Sequence, residues 1–342
     1  MHKDGSGTAK NGRGEAFAGR NLLRHWPIAD VDRQIIAHLQ EDGRRSFVTI
    51  ANDIGVTEKT VRNRVRQLLA SNIIQIVALT NPSALGYHAG ALVALTTDPA
   101  VPSSKIAAEL TKIEEVDYVV VTTGRYNIFA EVICIDASAM QAAVEQRIGL
   151  VPGVRSVEVF PYFSLYYQQA RFFSKDEYAR TATRAVVDKE LDETDKAIAQ
   201  QLSYDGRAAL KTVGDKLGIS ETQVRSRIQA MLSAGTMDIL AIVNPMNLKD
   251  RSIAWVAIRG NSERSLRQIA DELAKISYVH YVVICSGRFN IFVEFVCPSN
   301  DEMLDVLDQR VRPMKGVAYA EAFLYLDLHY KRLTPFRGAP IG

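Results

Sequence analysis

The sequence predicts an α+β protein made of two tandem copies of one unit, each a three-helix module followed by a β-α-β-β-α-β module. The stretch TGRYNIFAEV at 123–132 returns as SGRFNIFVEF at 286–295. The offset of 163 residues that takes Gly124 to Gly287 also relates Asp32 to Asp195, Gly43 to Gly206, Arg44 to Arg207 and Glu131 to Glu294. The register runs without a gap from about residue 28 to 167, with about a third of positions identical, which chance does not produce. Within each copy, helical spacing of apolar residues gives way to strand alternation at the same place.

Length and composition fit two such units. A chain of 342 residues exceeds one ordinary domain of about 100–200 residues. Hydrophobic residues at 47% and charged residues at 23% are globular values. The net charge of +2 neither favours nor disfavours nucleic acid, so any such case rests on where the cations sit. Apolar runs such as YVVV at 118–121 are far shorter than the roughly 18 residues of a membrane span, and no membrane partner is expected. Residues 1–26 are polar and Gly-rich without an apolar h-region, which reads as a disordered tail and a cytoplasmic protein. Cys134, Cys285 and Cys297 lie in apolar strand-like runs without metal-ligand spacing, so buried reduced thiols are expected, with no metal and no cofactor.

In IADVDRQIIAHLQEDG, Ile28, Val31, Ile35, Ile36 and Leu39 recur at helical spacing, Asp30 and Asp32 stand in the first turn, and Gly43 is expected to stop the helix. FVTIANDIGV supplies a short second helix broken at Gly55, and TEKTVRNRVRQLLAS a third; a tight turn between two helices is a helix-turn-helix pattern. The second copy repeats it in LKTVGDKLGIS and ETQVRSRIQAMLSA, where Ser220 and Gln223 have capping-box spacing. On a helical wheel Val61, Val65, Leu68 and Leu69 form the core stripe of the third helix, and Lys59, Arg62, Asn63 and Arg66 share the opposite face.

The matching face of the second copy is Thr222, Arg225, Ser226 and Gln229, while Arg64 and Arg227 sit at the stripe's edge, within reach of phosphate or a partner helix. A solvated face is the ordinary meaning of such charges. The preceding short helix and the strand-like runs IIQIVALTN (73–81) and MDILAIVN (237–244), each a wing or a lead into a sheet, favour double-stranded DNA instead. Such a helix suits the major groove, with Thr57 or Ser220 at its start bonding phosphate.

After these strands, GYHAGALVALTT, SSKIAAELTKI, VDYVVVTT, IFAEVICI, SAMQAAVEQRIGL and VRSVEVFPYFSLYY alternate in the order β-α-β-β-α-β, the ferredoxin-like signature. A four-stranded sheet covered by helices on one face leaves the other to be buried, and the repeat supplies the cover within the chain. The last strands, near Val157 and Ala320, are expected to lie close together.

A winged helix-turn-helix domain followed by a ferredoxin-like βαββαβ domain, with a Gly-containing turn between the middle strands, resembles the leucine-responsive (Lrp/AsnC, feast/famine) transcription regulators. The resemblance covers about residues 28 to 331, twice over. It implies helix-turn-helix domains at 27–80 and 191–243, effector and dimerisation domains at 81–167 and 244–331, a linker at 168–190 and a tail at 332–342. It also implies a small-molecule effector, an amino acid or related metabolite, bound near Gly124, Arg125, Tyr126 and Asn127 and near Gly287, Arg288, Phe289 and Asn290. Many relatives have Asp where Asn127 and Asn290 stand, so an effector ammonium group lacks that carboxylate here.

By the same resemblance, the protein is a non-enzymatic regulator carrying both halves of the family dimer in one chain, and such pseudo-dimers assemble further into a homo-oligomer. The siroheme decarboxylases resemble this architecture and offer the rival reading, an enzyme that needs His and Arg groups. No histidine recurs between the copies: His280 answers to Asp117.

Overall fold

The protein is described from a computed structural model covering residues 29–168, 191–243, 246 and 251–330. The expected tails, Ile28 and nearly all of the linker lie outside the described residues. In the first copy α1 (Asp30–Glu41), α2 (Phe47–Ile54) and α3 (Glu58–Ala70) lead into β1 (Ile74–Thr80). β2 (Ala89–Thr97), α4 (Ser103–Leu110), β3 (Val116–Thr122), β4 (Ile128–Cys134), α5 (Ala137–Ala143) and β5 (Val154–Gln168) follow. The helix expected as one piece after β4 widens into a π-helical turn at Val144–Ile148. The second copy repeats the series as α6 (Glu193–Tyr204), α7 (Leu210–Leu217), α8 (Glu221–Ala234), β6 (Met237–Val243), β7 (Ser252–Gly260), α9 (Leu266–Leu273), β8 (Val279–Cys285), β9 (Ile291–Cys297), α10 (Asn300–Val306) and β10 (Val317–Tyr330), with a π-helical turn at Leu307–Val311.

The strand that follows each third helix leads into a sheet, and its partner is its own counterpart. β1 and β6 pair antiparallel from Ile74 opposite Val243 to Thr80 opposite Met237. One core therefore serves both helical modules, joining Ile35, Leu39, Val61 and Leu68 of the first copy with Ile198, Leu202, Val224 and Ile228 of the second. α1 ends at Glu41 with Asp42 already extended, so Gly43 is not what stops it. Its N–H donates to Ile239 of β6 at 2.8 Å, and a Cβ there would lie 2.9 Å from the Leu240 backbone. Gly206 makes the mirror approach to Ile76 of β1. A side chain at either place would push the two modules apart.

The eight remaining strands close a barrel in the order β10-β3-β4-β2-β5-β8-β9-β7. Each copy contributes the ferredoxin-like order, and the seams are β5 with β8 and β10 with β3, all antiparallel. The last strands, expected from sequence to lie close together, do not pair with each other; each pairs with the second strand of the opposite copy, because an edge strand pairs with the other copy's edge. Alternate residues take opposite sides. Ala91, Val93 and Leu95 of β2 lie under the helices of their own copy, whereas Leu92 and Ala94 face the barrel interior. That interior is packed with aromatic rings from both copies, Phe129 against Phe323 at 5.0 Å and Phe160 against Phe292 at 4.9 Å, both edge to face. Each such pair adds about 0.5–1.5 kcal/mol beyond the area it buries.

Two polar clusters interrupt this interior symmetrically. The Glu131 carboxylate accepts hydrogen bonds from Tyr162 Oη at 2.9 Å and Tyr281 Oη at 2.6 Å. Glu294 accepts from Tyr118 at 2.9 Å and Tyr325 at 2.6 Å. Each glutamate binds one tyrosine of its own copy and one of the other. Burial raises both carboxyl groups above the ordinary glutamate value of 4.5 despite the tyrosine donors, which pull the other way. An acid raised in the folded state binds its proton more tightly there than in the unfolded chain, so its contribution falls as pH climbs from 4.5 towards the raised value. In denaturant titrations across pH, the Glu131→Gln, Glu294→Gln protein should therefore gain stability relative to the parent above about pH 4.5; parallel curves would show that burial does not perturb these groups.

Candidate nucleic-acid interface and the hairpin turns

The recognition helix α3 begins where Thr57 Oγ1 accepts the Thr60 N–H at 3.2 Å. In the second copy the expected capping box is present, with Ser220 accepting from Gln223 N–H at 3.2 Å and Gln223 Oε1 accepting from Ser220 N–H at 2.9 Å. Both residues, candidates for phosphate bonding, use their hydroxyls locally. Val61, Val65 and Leu68 are buried as the wheel requires, but Leu69 is 42% exposed because it stands a further 100° round the helix.

Lys59, Arg62, Asn63 and Arg66 are all exposed, as are Thr222, Arg225, Ser226 and Gln229. Arg62 is paired with Glu58 and lies 5.6 Å from the Phe47 ring centroid. Arg225 pairs with Glu221 at 2.6 Å. Exposed pairs of this i, i+4 kind are worth only a few tenths of a kcal/mol, so both guanidiniums are cheaply released. Arg66 donates to Asn63 Oδ1 at 3.3 Å.

Arg64 and Arg227 reach a partner helix and not outward. Arg64 donates to both oxygens of the fully buried Asp32 at 2.7 and 2.5 Å, fixing α3 to α1. Arg227 bridges Asp192 at 2.7 Å and Asp195 at 2.8 Å. The acid in the first turn is thus the anchor of the recognition helix as well as a match for the helix dipole. Of the two reaches open to these arginines, phosphate or a partner helix, the ion pairs show the second.

Arg44 and Arg207, matched by the repeat, each reach across to the other copy. Arg44 donates to Gly206 O at 2.7 Å and Ala208 O at 3.1 Å in the other copy; Arg207 returns to Gly43 O at 2.7 Å and Arg45 O at 3.1 Å. Arg207 also lies over Phe47 at 4.3 Å from the ring centroid. Burial lowers the pKa of both guanidiniums, whose bonds to carbonyls are charge-assisted. Together with the β1–β6 pair, they fix one recognition helix relative to the other. The repeated Gly-Arg after each first helix was the available signal.

The hairpin turns are also built into the seams. Gly124 has φ +98° and faces Phe323; Gly287 has φ +129° and faces Phe160, so each turn takes a left-handed backbone against a ring of the other copy. Asn127 Oδ1 accepts the Thr97 N–H at 3.0 Å, and Asn290 Oδ1 the Gly260 N–H at 3.2 Å. Tyr126 and Phe289 are buried in the barrel interior, with Tyr126 Oη bonded to Glu158. Arg125 lies 3.7 Å from Glu321 and Arg288 3.3 Å from Glu158, each pair crossing between the copies and partly exposed. Of the eight turn residues expected at an effector, the arginines alone present an accessible charged group. Among the described residues no cluster of three or more His, Cys, Asp or Glu could hold a metal, and no helix is long and apolar enough to cross a membrane. Cys134, Cys285 and Cys297 are free and buried, and burial pushes each thiol up to about 12.

An AsnC-type helix-turn-helix domain model matches residues 29–69 and 191–232. A C-terminal dimeric alpha+beta barrel domain model matches 102–173, and the Lrp/AsnC ligand binding domain model matches 251–334. An uncharacterised HTH-type transcriptional regulator of Pyrococcus abyssi is 36% identical over 132 residues, 38% of this chain and 83% of its own length. Regulatory protein AsnC of Escherichia coli K12 is 27% identical over 137 residues, 40% of this chain and 90% of its own. The crystal structure of the siroheme decarboxylase NirDL shares the fold, with a TM-score of 0.60 at 15% identity over 90% of this chain and 95% of that one.

Removing Arg64 would strand a buried carboxylate. Arg64→Ala should cost about 2–3 kcal/mol, below the roughly 3–5 of a fully buried pair because water reaches the guanidinium side. Arg66→Ala should change stability by less than about 0.5 kcal/mol. Denaturant melts of the two variants compare them directly, and equal losses would contradict the assignment of Arg64 to the scaffold.

Proposed function

This chain belongs to the Lrp/AsnC family of transcription regulators, and on that premise we propose that it reads an asymmetric DNA site with two unequal recognition helices while sensing a small metabolite at the hairpin turns. The observation that carries the reading is the pair of exposed faces on α3 and α8, held by β1–β6 pairing and by Arg44 and Arg207. Lys59, Arg62, Asn63 and Arg66 form the stronger head. Thr222, Arg225, Ser226 and Gln229 form the weaker one, so the half-sites of an imperfect palindrome differ. One chain supplies both heads, and several such chains assemble into a higher homo-oligomer in the cytoplasm.

Arg62→Ala, Arg66→Ala should weaken DNA retention more than Arg225→Ala, Gln229→Ala. It should also flatten the salt dependence by about 0.9 log unit for each phosphate that is no longer neutralised. Binding isotherms at several salt concentrations give both quantities. Equal weakening by the two double substitutions would remove the inequality of the heads.

For the effector, an amino acid or related metabolite, Arg125 beside Glu321 and Arg288 beside Glu158 form two cation–carboxylate pairs. A zwitterion suits such a pair, its carboxylate going to the guanidinium and its ammonium to the glutamate. The glutamates thereby replace the acid that Asn127 and Asn290 lack. Calorimetric titration with a panel of amino acids should find a ligand whose binding falls at least tenfold in Arg125→Ala, Arg288→Ala. A ligand bound equally by parent and variant puts the effector elsewhere.

The rival reading, an enzyme like the siroheme decarboxylases, draws on the NirDL likeness, which at 15% identity concerns the fold alone. The regulator reading draws on relatives of higher identity and on the exposed helix faces. Visible-range absorbance from a retained tetrapyrrole, with no DNA retention, would reverse the preference.

A further inference from the structure

The outer, helical face of the second barrel module carries a cleft of about 370 Å³ between the end of α9, the π-helical turn Leu307–Val311 and the loop after it. Its charged lining is Arg264, Lys275, Arg310 and Lys315 against one carboxylate, Glu272, which is held by Lys275 at 2.8 Å. Ile276 and Met314 add apolar surface. The cleft lies at the start of β8, whereas the Gly287 turn lies at its end, so it is separate from the effector site proposed above.

The first module differs at this place in both signs of charge: it lacks two of the cleft's cations, and Ala139 and Ala142 stand where Glu302 and Asp305 line the adjoining cavity beside Arg310. Arg264 and Lys315 answer to Val101 and Pro152. Their equivalence is structural, since Val101 lies against Gly153 as Arg264 lies against Gly316. Arg310 answers to Arg147, which is neutralised by Glu115 at 2.7 Å. The position of Glu115 is Tyr278 in the second copy, and its hydroxyl bonds to Glu302. The second module thus has two additional cations lining the cleft itself, Arg264 and Lys315, while Arg310 has no counterpart of Glu115 and borders Glu302 and Asp305 on its other side. The hydrogen bond from Lys275, helped by the nearby Arg264, holds the Glu272 carboxyl below its ordinary value. Like charges around one concavity repel, and the field they focus there attracts an anion of matching valence. Planar guanidinium groups bind phosphoryl oxygens in pairs.

We propose that this cleft binds a small, multiply charged anion of the phosphate class, an organic phosphate whose phosphoryl oxygens meet Arg264, Arg310 and Lys315 and whose organic part lies on Ile276 and Met314. Isothermal titration of the full chain with inorganic pyrophosphate should show one saturable site per chain. Arg310→Ala, and Arg264→Ala with Lys315→Ala, should each weaken it at least tenfold, while Lys112→Ala, the first-module counterpart of Lys275, leaves it unchanged. Tyr278→Glu restores the carboxylate that neutralises the arginine in the first module, and should weaken binding without removing any cation. Thermal melts establish that the variants fold. Absence of saturable binding by the parent, equal loss in Lys112→Ala, undiminished binding in Tyr278→Glu, or citrate binding as tightly as pyrophosphate would each overturn the assignment.

Discussion

Each βαββαβ module lays its helices on one side of a four-stranded sheet, and the residues on the other side have to be covered. Leu92, Phe129 and Phe160 in one copy, and Trp255, Phe292 and Phe323 in the other, are almost wholly buried only because the two open faces meet. Full burial of one such side chain is worth about 1.5–3 kcal/mol, so a separated module would forfeit a sum comparable to the whole stability of an ordinary domain. The seams finish the closure by giving each edge strand a partner, which removes the exposed edges that invite aggregation. Glu131 and Glu294 add a register constraint, because each is satisfied only when tyrosines from both copies arrive at the right rung.

The helical modules pair across the repeat as well. β1 and β6 share their hydrogen bonds, Gly43 and Gly206 allow the approach, and Arg44 and Arg207 close it. The spacing of the recognition helices is therefore a property of the fold. Two identical chains assembled this way would carry identical heads. Joined in one chain, the copies are free to diverge, and they have done so on the recognition faces and on the outer helical face of the barrel. The framework residues Asp32/Asp195, Arg44/Arg207, Glu131/Glu294 and Arg125/Arg288 remain matched.

The repeat, the order of elements and the outward face of α3 were legible because each is written in local periodicity or in a register that needs no third dimension. The wheel that set Lys59, Arg62, Asn63 and Arg66 outward could not say that Arg64 meets Asp32, since that pair joins residues thirty-two positions apart through the crossing of two helices. Arg44 and Arg207 were opaque for the same reason: their acceptors are backbone carbonyls of the other copy. Tyr126 and Phe289 read as turn residues because they stand beside Gly and Asn, yet the chain bends so that their rings enter the barrel. Glu131 and Glu294 carried a signal that went unused, a carboxylate in the middle of an apolar strand in both copies.

The buried interior and the spacing of the two recognition helices depend on one chain closing the barrel on itself. Thr123 N–H donates to Leu324 O at 2.9 Å, and Leu324 N–H to Thr123 Oγ1 at 3.1 Å, so these residues face each other across the β3–β10 seam. With Cys at both positions, oxidation at low protein concentration followed by denaturing mass analysis should give links within single chains. Links that join two chains, and never close within one, would show that the copies are exchanged between molecules and would contradict the account.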